Sequence, residues 1–183
     1  MPVEYLRSEQ IYHGRAFTVR RDQVRMPNGH ETAYDVVEHT GAVTLVPVDD
    51  QGRIWFVRQY RAGVRDTLLE LPAGTREENE DPQICALREV REEIGMAAGK
   101  IEKIGEVYLA PGYSTEYMYF YLATELHPDP LKGDEDEFLT VESYPAREVY
   151  RMAAVGEMRD GKTLAALLLA RPTLEKLFPA EFL

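Results

Sequence analysis

The chain has 183 residues, 44% of them hydrophobic and 29% charged, with a formal net charge of −11. These values fit one compact domain, or one domain with an N-terminal addition, and supply enough apolar side chain for a core. The negative charge argues against a nucleic-acid backbone or an anionic membrane as the main partner, although a site holding divalent cations could still take a small anionic substrate. Cys85 is the only cysteine, so no intramolecular disulfide can form, which suits a reducing cytoplasm. The opening residues, MPVEYLRSEQIYHG, lack the apolar centre of a signal peptide, and no apolar run is long enough to span a bilayer. A soluble cytoplasmic protein is expected.

In chain order, residues 16–26 and 30–39 read as strands flanking the turn residues Pro27, Asn28 and Gly29, which predicts a hairpin. Residues 1–40 are expected to form N-terminal strands and 41–183 the main domain. Residues 42–48 and 53–60, joined by DDQG, read as a second hairpin. LLELPAG is a short strand ending at a Pro/Gly break. Asp81-Pro82 and Gly95 then bound a helix, with Ile84, Leu87 and Ile94 expected on its core face. KIEKIGEVYLA and EYMYFYLATEL read as strands around the loop PGYST. In the second, Met118 and Phe120 are the expected core pair, opposite three tyrosines. The acidic loop KGDEDEF precedes a strand, LTVESY; it lacks the Gly and final Glu of a calcium-binding loop. Helices follow over 146–155 and 162–177, the latter with a break expected at Arg171-Pro172. Strands first, one central helix, more strands and terminal helices make an α+β arrangement.

Three features are set aside. GEMRDGKT, residues 156–163, has the spacing of a phosphate-binding loop, but such a loop follows a strand and the residues before it read as a helix. The four histidines show no metal-ligand spacing, and Cys85 reads as a packing residue.

The stretch GTREENEDPQICALREVREEIGM, residues 74–96, is different, with seven acidic residues in 23 positions. Glu89, Glu92 and Glu93 stand at i, i+3 and i+4, which puts three carboxylates on one helix face. Like charges so placed repel unless a cation or an arginine lies among them. Carboxylate oxygens suit Mg²⁺ or Mn²⁺, which fill their remaining positions with water and phosphate oxygens. A backbone carbonyl of Ala73 or Gly74 could complete such a shell.

Gly74, Glu80, Arg88, Glu89, Val90, Glu92, Glu93, Gly95 and Met96 fill every fixed position of the Nudix box. Average residue usage would produce that pattern about once in ten million such chains, and the chain is identified as resembling the Nudix hydrolases. The resemblance implies a Nudix fold, a mixed β-sheet α/β/α sandwich here carrying an N-terminal β-hairpin extension, and hydrolysis of a nucleoside diphosphate linked to another moiety. It also implies that Glu89, Glu93 and the main-chain carbonyl of Ala73 are metal ligands, with Glu92 supporting or sharing a metal. Arg88 would orient the carboxylates, with Glu80 as its partner. Pro111, sixteen residues beyond Gly95, together with VEHTGAVTLVPV and VRQYR, resembles the ADP-ribose pyrophosphatase subgroup.

That subgroup implies Mg²⁺-dependent cleavage of a nucleotide sugar, ADP-ribose, to AMP and ribose 5-phosphate by a homodimer. Its general base lies in a loop after the box, which here is GDEDEF, with Glu135 as base and Glu137 as neighbour or substitute. Arg61 resembles a phosphate-binding arginine, and Glu116, in the loop carrying Pro111, a group facing the terminal ribose or its metals. Phe17, Tyr34 and Asp35 are the candidates for the adenine. His39 stands where many relatives carry arginine. Two alternatives remain open: a hydrolase of another nucleoside diphosphate sugar such as GDP-mannose, and a domain that binds ADP-ribose without cleaving it. The intact glutamates argue against the second.

Overall fold

The computed structural model describes residues 2–133 and 138–182, which fall into two compact units. The first comprises residues 2–41 and 107–117. Its strands β1 (Glu4–His13), β2 (Thr18–Arg25) and β3 (Glu31–Glu38) form an antiparallel sheet in that order. The expected hairpin joins β2 to β3 through Gly29, whose φ of 83° favours glycine, and Gly29 N–H donates to the Met26 carbonyl at 2.9 Å. Strand β1 was not expected. All ten of its residues are exposed, so it carries no alternation of buried and exposed positions to betray it. The segment 107–117 is tied to β3 by Val37 N–H to the Tyr113 carbonyl at 2.7 Å and Thr115 N–H to the Val37 carbonyl at 2.9 Å.

The second unit comprises residues 42–106 and 118–182. It contains β4 (Ala42–Pro47), β5 (Arg53–Arg61), β6 (Asp66–Glu70), β7 (Ala73–Thr75), α1 (Pro82–Ile94), most of β8 (Met96–Tyr108) and of β9 (Tyr117–Pro128), β10 (Thr140–Pro145), α2 (Ala146–Ala154) and α3 (Gly161–Leu177). One mixed sheet has the order β7-β4-β9-β8, with β4 parallel to β9 and antiparallel to β7. The other, β10-β5-β6, is antiparallel.

The expected hairpin of residues 42–48 with 53–60 does not form. Apart from a bridge between Val48 and Ile54 at the turn, the two strands part into different sheets. The reason is burial. All six residues of β4 are buried, because α1 and α3 both pack on it, and such a strand belongs inside a sheet with a neighbour on each side.

Helix α1 begins and ends as expected. The Asp81 carboxylate accepts from the Gln83 and Ile84 amides, a cap contributing about 1 kcal/mol, and Gly95 closes the helix at φ 70°. Of the expected core face, however, only Ile94 is buried. Ile84 is 58% exposed and Leu87 half-buried, while Cys85, Ala86, Val90 and Ile94 pack against Val43, Leu45, Val57 and Tyr121. The small side chains of Cys85 and Ala86 let the helix approach the sheet closely, so they win the buried side over bulkier Ile84 and Leu87. Met118 and Phe120 are buried as expected, and Tyr121 joins them from the opposite strand face.

The break expected at Pro172 is absent, since α3 runs through it. The carbonyl that Pro172 leaves without its helical donor belongs to Leu168, a residue 72% exposed and open to water, so the helix continues. Among the described residues no helix is long and apolar enough to cross a membrane.

Candidate active site

Strand β7 and helix α1 assemble the box. Thr75, Gly74 and Ala73 pair with Ala42, Val43 and Thr44 of β4, which fixes the backbone opposite α1. A β-carbon at Gly74 would fall 1.8 Å from Cδ of Glu89, so only glycine admits that carboxylate against the strand. From the next turn Glu93 reaches the same strand, its Oε2 accepting from the Ala73 amide at 3.0 Å. Both carboxylates are buried, at 7% and 5% exposure, and Glu92 is half-buried.

Arg88 lies among them. Its Nη1 donates to Glu89 Oε1 at 2.6 Å and to Glu92 Oε2 at 2.8 Å, while Nε and Nη2 donate to the two oxygens of Glu80 at 3.2 and 3.1 Å. One guanidinium thus offsets the repulsion of three carboxylates. Burial works against its charge, but Glu80, Glu89 and Glu92 outweigh it and raise the Arg88 pKa. Arg88 in turn holds the Glu80 carboxyl below the usual range, helped by the Glu77 amide. Cys85, beside them, has its thiol pushed up by burial and then by the charges of Glu89 and Glu80, which leaves it inert.

A second charged group stands at the ends of β5 and β6. Glu70, 1% exposed, accepts from Arg61 Nε at 2.8 Å and Nη2 at 2.7 Å and also from Lys162 Nζ. Lys162 donates further to Asp160 at 2.9 Å, and Asp160 caps α3 by accepting from the Thr163 amide at 3.0 Å and hydroxyl at 2.6 Å. The Thr163 hydroxyl accepts from the Leu71 amide at 2.9 Å. Sequence reasoning missed Glu70 entirely. The lysine and threonine of the phosphate-loop-like stretch are engaged here, after helix α2, and that stretch is a helix cap.

The first unit contains a cavity of about 580 Å³ lined chiefly by tyrosines 5, 34, 108, 113 and 117, with Arg20 and Asp22. Tyr34 and Pro111 line it; Phe17 and Asp35 do not. Strand alternation turns Asp35 to the other face of β3, where it pairs with Arg21 at 2.7 Å, and Phe17 lies against the Tyr12 ring. Glu116 is half-buried, its amide donating to the Ser114 hydroxyl at 3.1 Å. His39 Nδ1 accepts from the Gly41 amide at 3.0 Å. Glu135 and Glu137 lie outside the described residues.

Among the described residues no three acidic side chains converge as a ready metal cage, and in this arrangement Arg88 holds Glu89 and Glu92. The donor set nevertheless fits a hard divalent cation. Two buried carboxylates abut a strand whose glycine makes room for one of them, and oxygen is the only donor they present.

Comparison with known proteins agrees. The NUDIX domain model matches residues 38–167, and a nucleoside diphosphate sugar hydrolase N-terminal domain matches residues 4–37. The chain belongs to the Nudix family. It is 40% identical over 168 residues to an ADP-ribose pyrophosphatase of Mycobacterium tuberculosis, covering 90% of this chain and 81% of that one. To an ADP-ribose pyrophosphatase of Bacillus subtilis it is 36% identical over 161 residues, 87% of each chain. A crystal structure of an ADP compounds hydrolase superposes with a TM-score of 0.85 at 27% identity, over 97% of each chain.

Proposed function

We propose that this Nudix enzyme hydrolyses the pyrophosphate of ADP-ribose to AMP and ribose 5-phosphate with Mg²⁺. The observation that carries this reading is the pair of buried carboxylates, Glu89 and Glu93, set against Gly74 and Ala73 within a complete Nudix box. Relatives named ADP-ribose pyrophosphatase, matched along most of their length, support the substrate. Glu89, Glu93 and the Ala73 carbonyl would hold the cation, with Glu92 alongside. Bound there, it would lower the pKa of a coordinated water and neutralise charge on the phosphates. Arg88 orients Glu89 and Glu92, Arg61 contacts a phosphate, and Glu135 takes the proton of the attacking water, with Glu137 as its neighbour. Water adds to one phosphorus, the bridging P–O bond breaks, and the two monophosphates leave. Tyr34 and Pro111, in the tyrosine-lined cavity, face the nucleoside, and Glu116 faces the terminal ribose. Exposed Tyr5, Leu6, Ile11 and Tyr12 on β1 support a homodimer in which a second copy covers this strand. A single cysteine, Cys85, buried in the core, suits the cytoplasm.

Turnover coupled to a phosphatase tests the reading on ADP-ribose, GDP-mannose, UDP-glucose, NADH and diadenosine polyphosphates. ADP-ribose is expected to be preferred. Preference for GDP-mannose would keep the metal chemistry and overturn the substrate, and tight ADP-ribose binding without turnover would indicate a sensor. Replacing the base, Glu135→Gln, is expected to lower kcat by about 10²–10⁴ with little change in substrate affinity. Near-normal turnover would move the role to Glu137 or Glu92.

A further inference from the structure

Glu70 is the most deeply buried carboxylate among the described residues, and nothing in the box requires it. Buried ion pairs seldom add stability over apolar packing of the same shape, so one held this firmly suggests a task beyond folding. Three observations say what the task is. Glu70 grips Arg61 through Nε and Nη2, a fork that fixes the guanidinium plane as a single contact could not. The grip leaves Nη1 turned away from the carboxylate, and the arginine side chain keeps 39% exposure while its anchor has 1%. Arg61 also lies close enough to Glu93 of the box and to Asp160 for their charges to help hold its proton.

Behind Glu70 stands Lys162, 11% exposed, clamped in turn by the Asp160 that caps α3. Glu70 is therefore pinned from two sides. It cannot swing away from Arg61 without abandoning Lys162, and Lys162 cannot follow without leaving Asp160. The Thr163 hydroxyl closes the circuit on the Leu71 amide, two residues before Ala73. The network links the arginine's position to the strand that supplies the box's own backbone contact.

We propose that Glu70 and Lys162 are positioning residues that hold the Arg61 guanidinium in one orientation, its outer edge preset for a diphosphate. This rests on the reading of Arg61 as a phosphate contact. Holding a guanidinium in its bound orientation before the ligand arrives removes the side-chain ordering that binding would otherwise demand. Lys162 is not itself a ligand, because its ammonium is committed to Glu70 and Asp160.

The test is a double-mutant cycle read by affinity for inorganic pyrophosphate in the presence of Mg²⁺, using calorimetry on the full-length protein. That readout does not need ADP-ribose to be the substrate; turnover of ADP-ribose by the wild type judges the functional reading separately. Arg61→Ala and Glu70→Gln are each expected to weaken pyrophosphate binding about tenfold, and the double variant to be no weaker than Arg61→Ala alone. Glu70→Asp, which keeps the charge but shortens the reach, is expected to recover part of the loss. It serves as the variant of record if Glu70→Gln does not fold. Lys162→Met is expected to fall between the wild type and Glu70→Gln. A role confined to folding predicts additive losses instead, and additivity overturns the inference. So does wild-type affinity in a folded Glu70 variant, or a wild type that does not bind pyrophosphate.

Discussion

The two units bury charge to different extents: among the described residues the first buries one carboxylate, Asp22, held by Arg20, and the second buries three. In the first, carboxylates and arginines meet mostly on exposed strands: Arg25 with Glu4 and Glu31, Arg21 with Asp35, all at least 44% exposed. In the second, Glu70, Glu89 and Glu93 are buried, and arginines and a lysine were brought in to hold the groups around them. Exposed pairs are screened and nearly neutral in stability, whereas a buried charge costs several kcal/mol of desolvation that partners must offset. Where a fold accepts that cost repeatedly, in one place, the place is for chemistry.

The contrast can be broken most severely at Glu93. Glu93→Gln keeps the side-chain shape and an acceptor for the Ala73 amide but removes the charge. The expected result is a loss of kcat of about 10² or more with the melting temperature held or raised. A melting temperature that collapses would mean the charge serves the fold. Next in size is Gly74→Ala, whose methyl must evict the Glu89 carboxylate. Coupled turnover is expected to fall about 10–100-fold, the range seen when metal ligands lose their orientation, with circular dichroism unchanged.

Much of the site could be read from sequence because the box is local. Spacing alone places Glu89, Glu92 and Glu93 on one turn of helix, and Asp81 and Gly95 mark its ends. What escaped was tertiary. Nothing near Glu70 in the chain announces that Arg61 and Lys162 will meet on it, since Lys162 arrives from another helix. The split of β4 from β5 escaped for a related reason. The turn at Asp49–Gly52 has hairpin chemistry, and only the uninterrupted burial of β4 reveals that it needs a parallel neighbour from far along the chain. Strand β1 stayed hidden because every one of its residues is exposed, so no buried positions alternate along it. The helix stripe of Ile84 and Leu87 was real periodicity on the wrong side, because small residues packed better than large ones.

Acid sharpens the comparison at smaller amplitude. Arg88 holds the folded Glu80 pKa below its unfolded value, so the stability it contributes is full above the ordinary carboxylate pKa and is lost as pH falls through the lowered one. The melting-temperature advantage of wild type over Glu80→Gln is expected to shrink between about pH 6 and pH 3. An advantage that grows on acidification would contradict the assigned pairing. The smallest effect belongs to the first unit. Arg25→Ala removes two exposed ion pairs and is expected to leave the urea-unfolding midpoint almost unchanged. A large drop in that midpoint would show that β1 and its charges are covered in solution.

The parallel pairing of β4 with β9 also sets when the enzyme can come into being. Ala42 meets Met118, and Pro47 meets Ala123, with the whole of the box helix between them in sequence. A nascent chain that has emerged only through Met96 already carries every box residue. Yet the strand that seats Ala73 and Gly74 then lacks its parallel neighbour and offers a bare apolar edge, the kind that recruits other chains. Synthesis stalled there yields a sticky fragment, not a partial hydrolase, and assembly waits for residues that take no part in the chemistry.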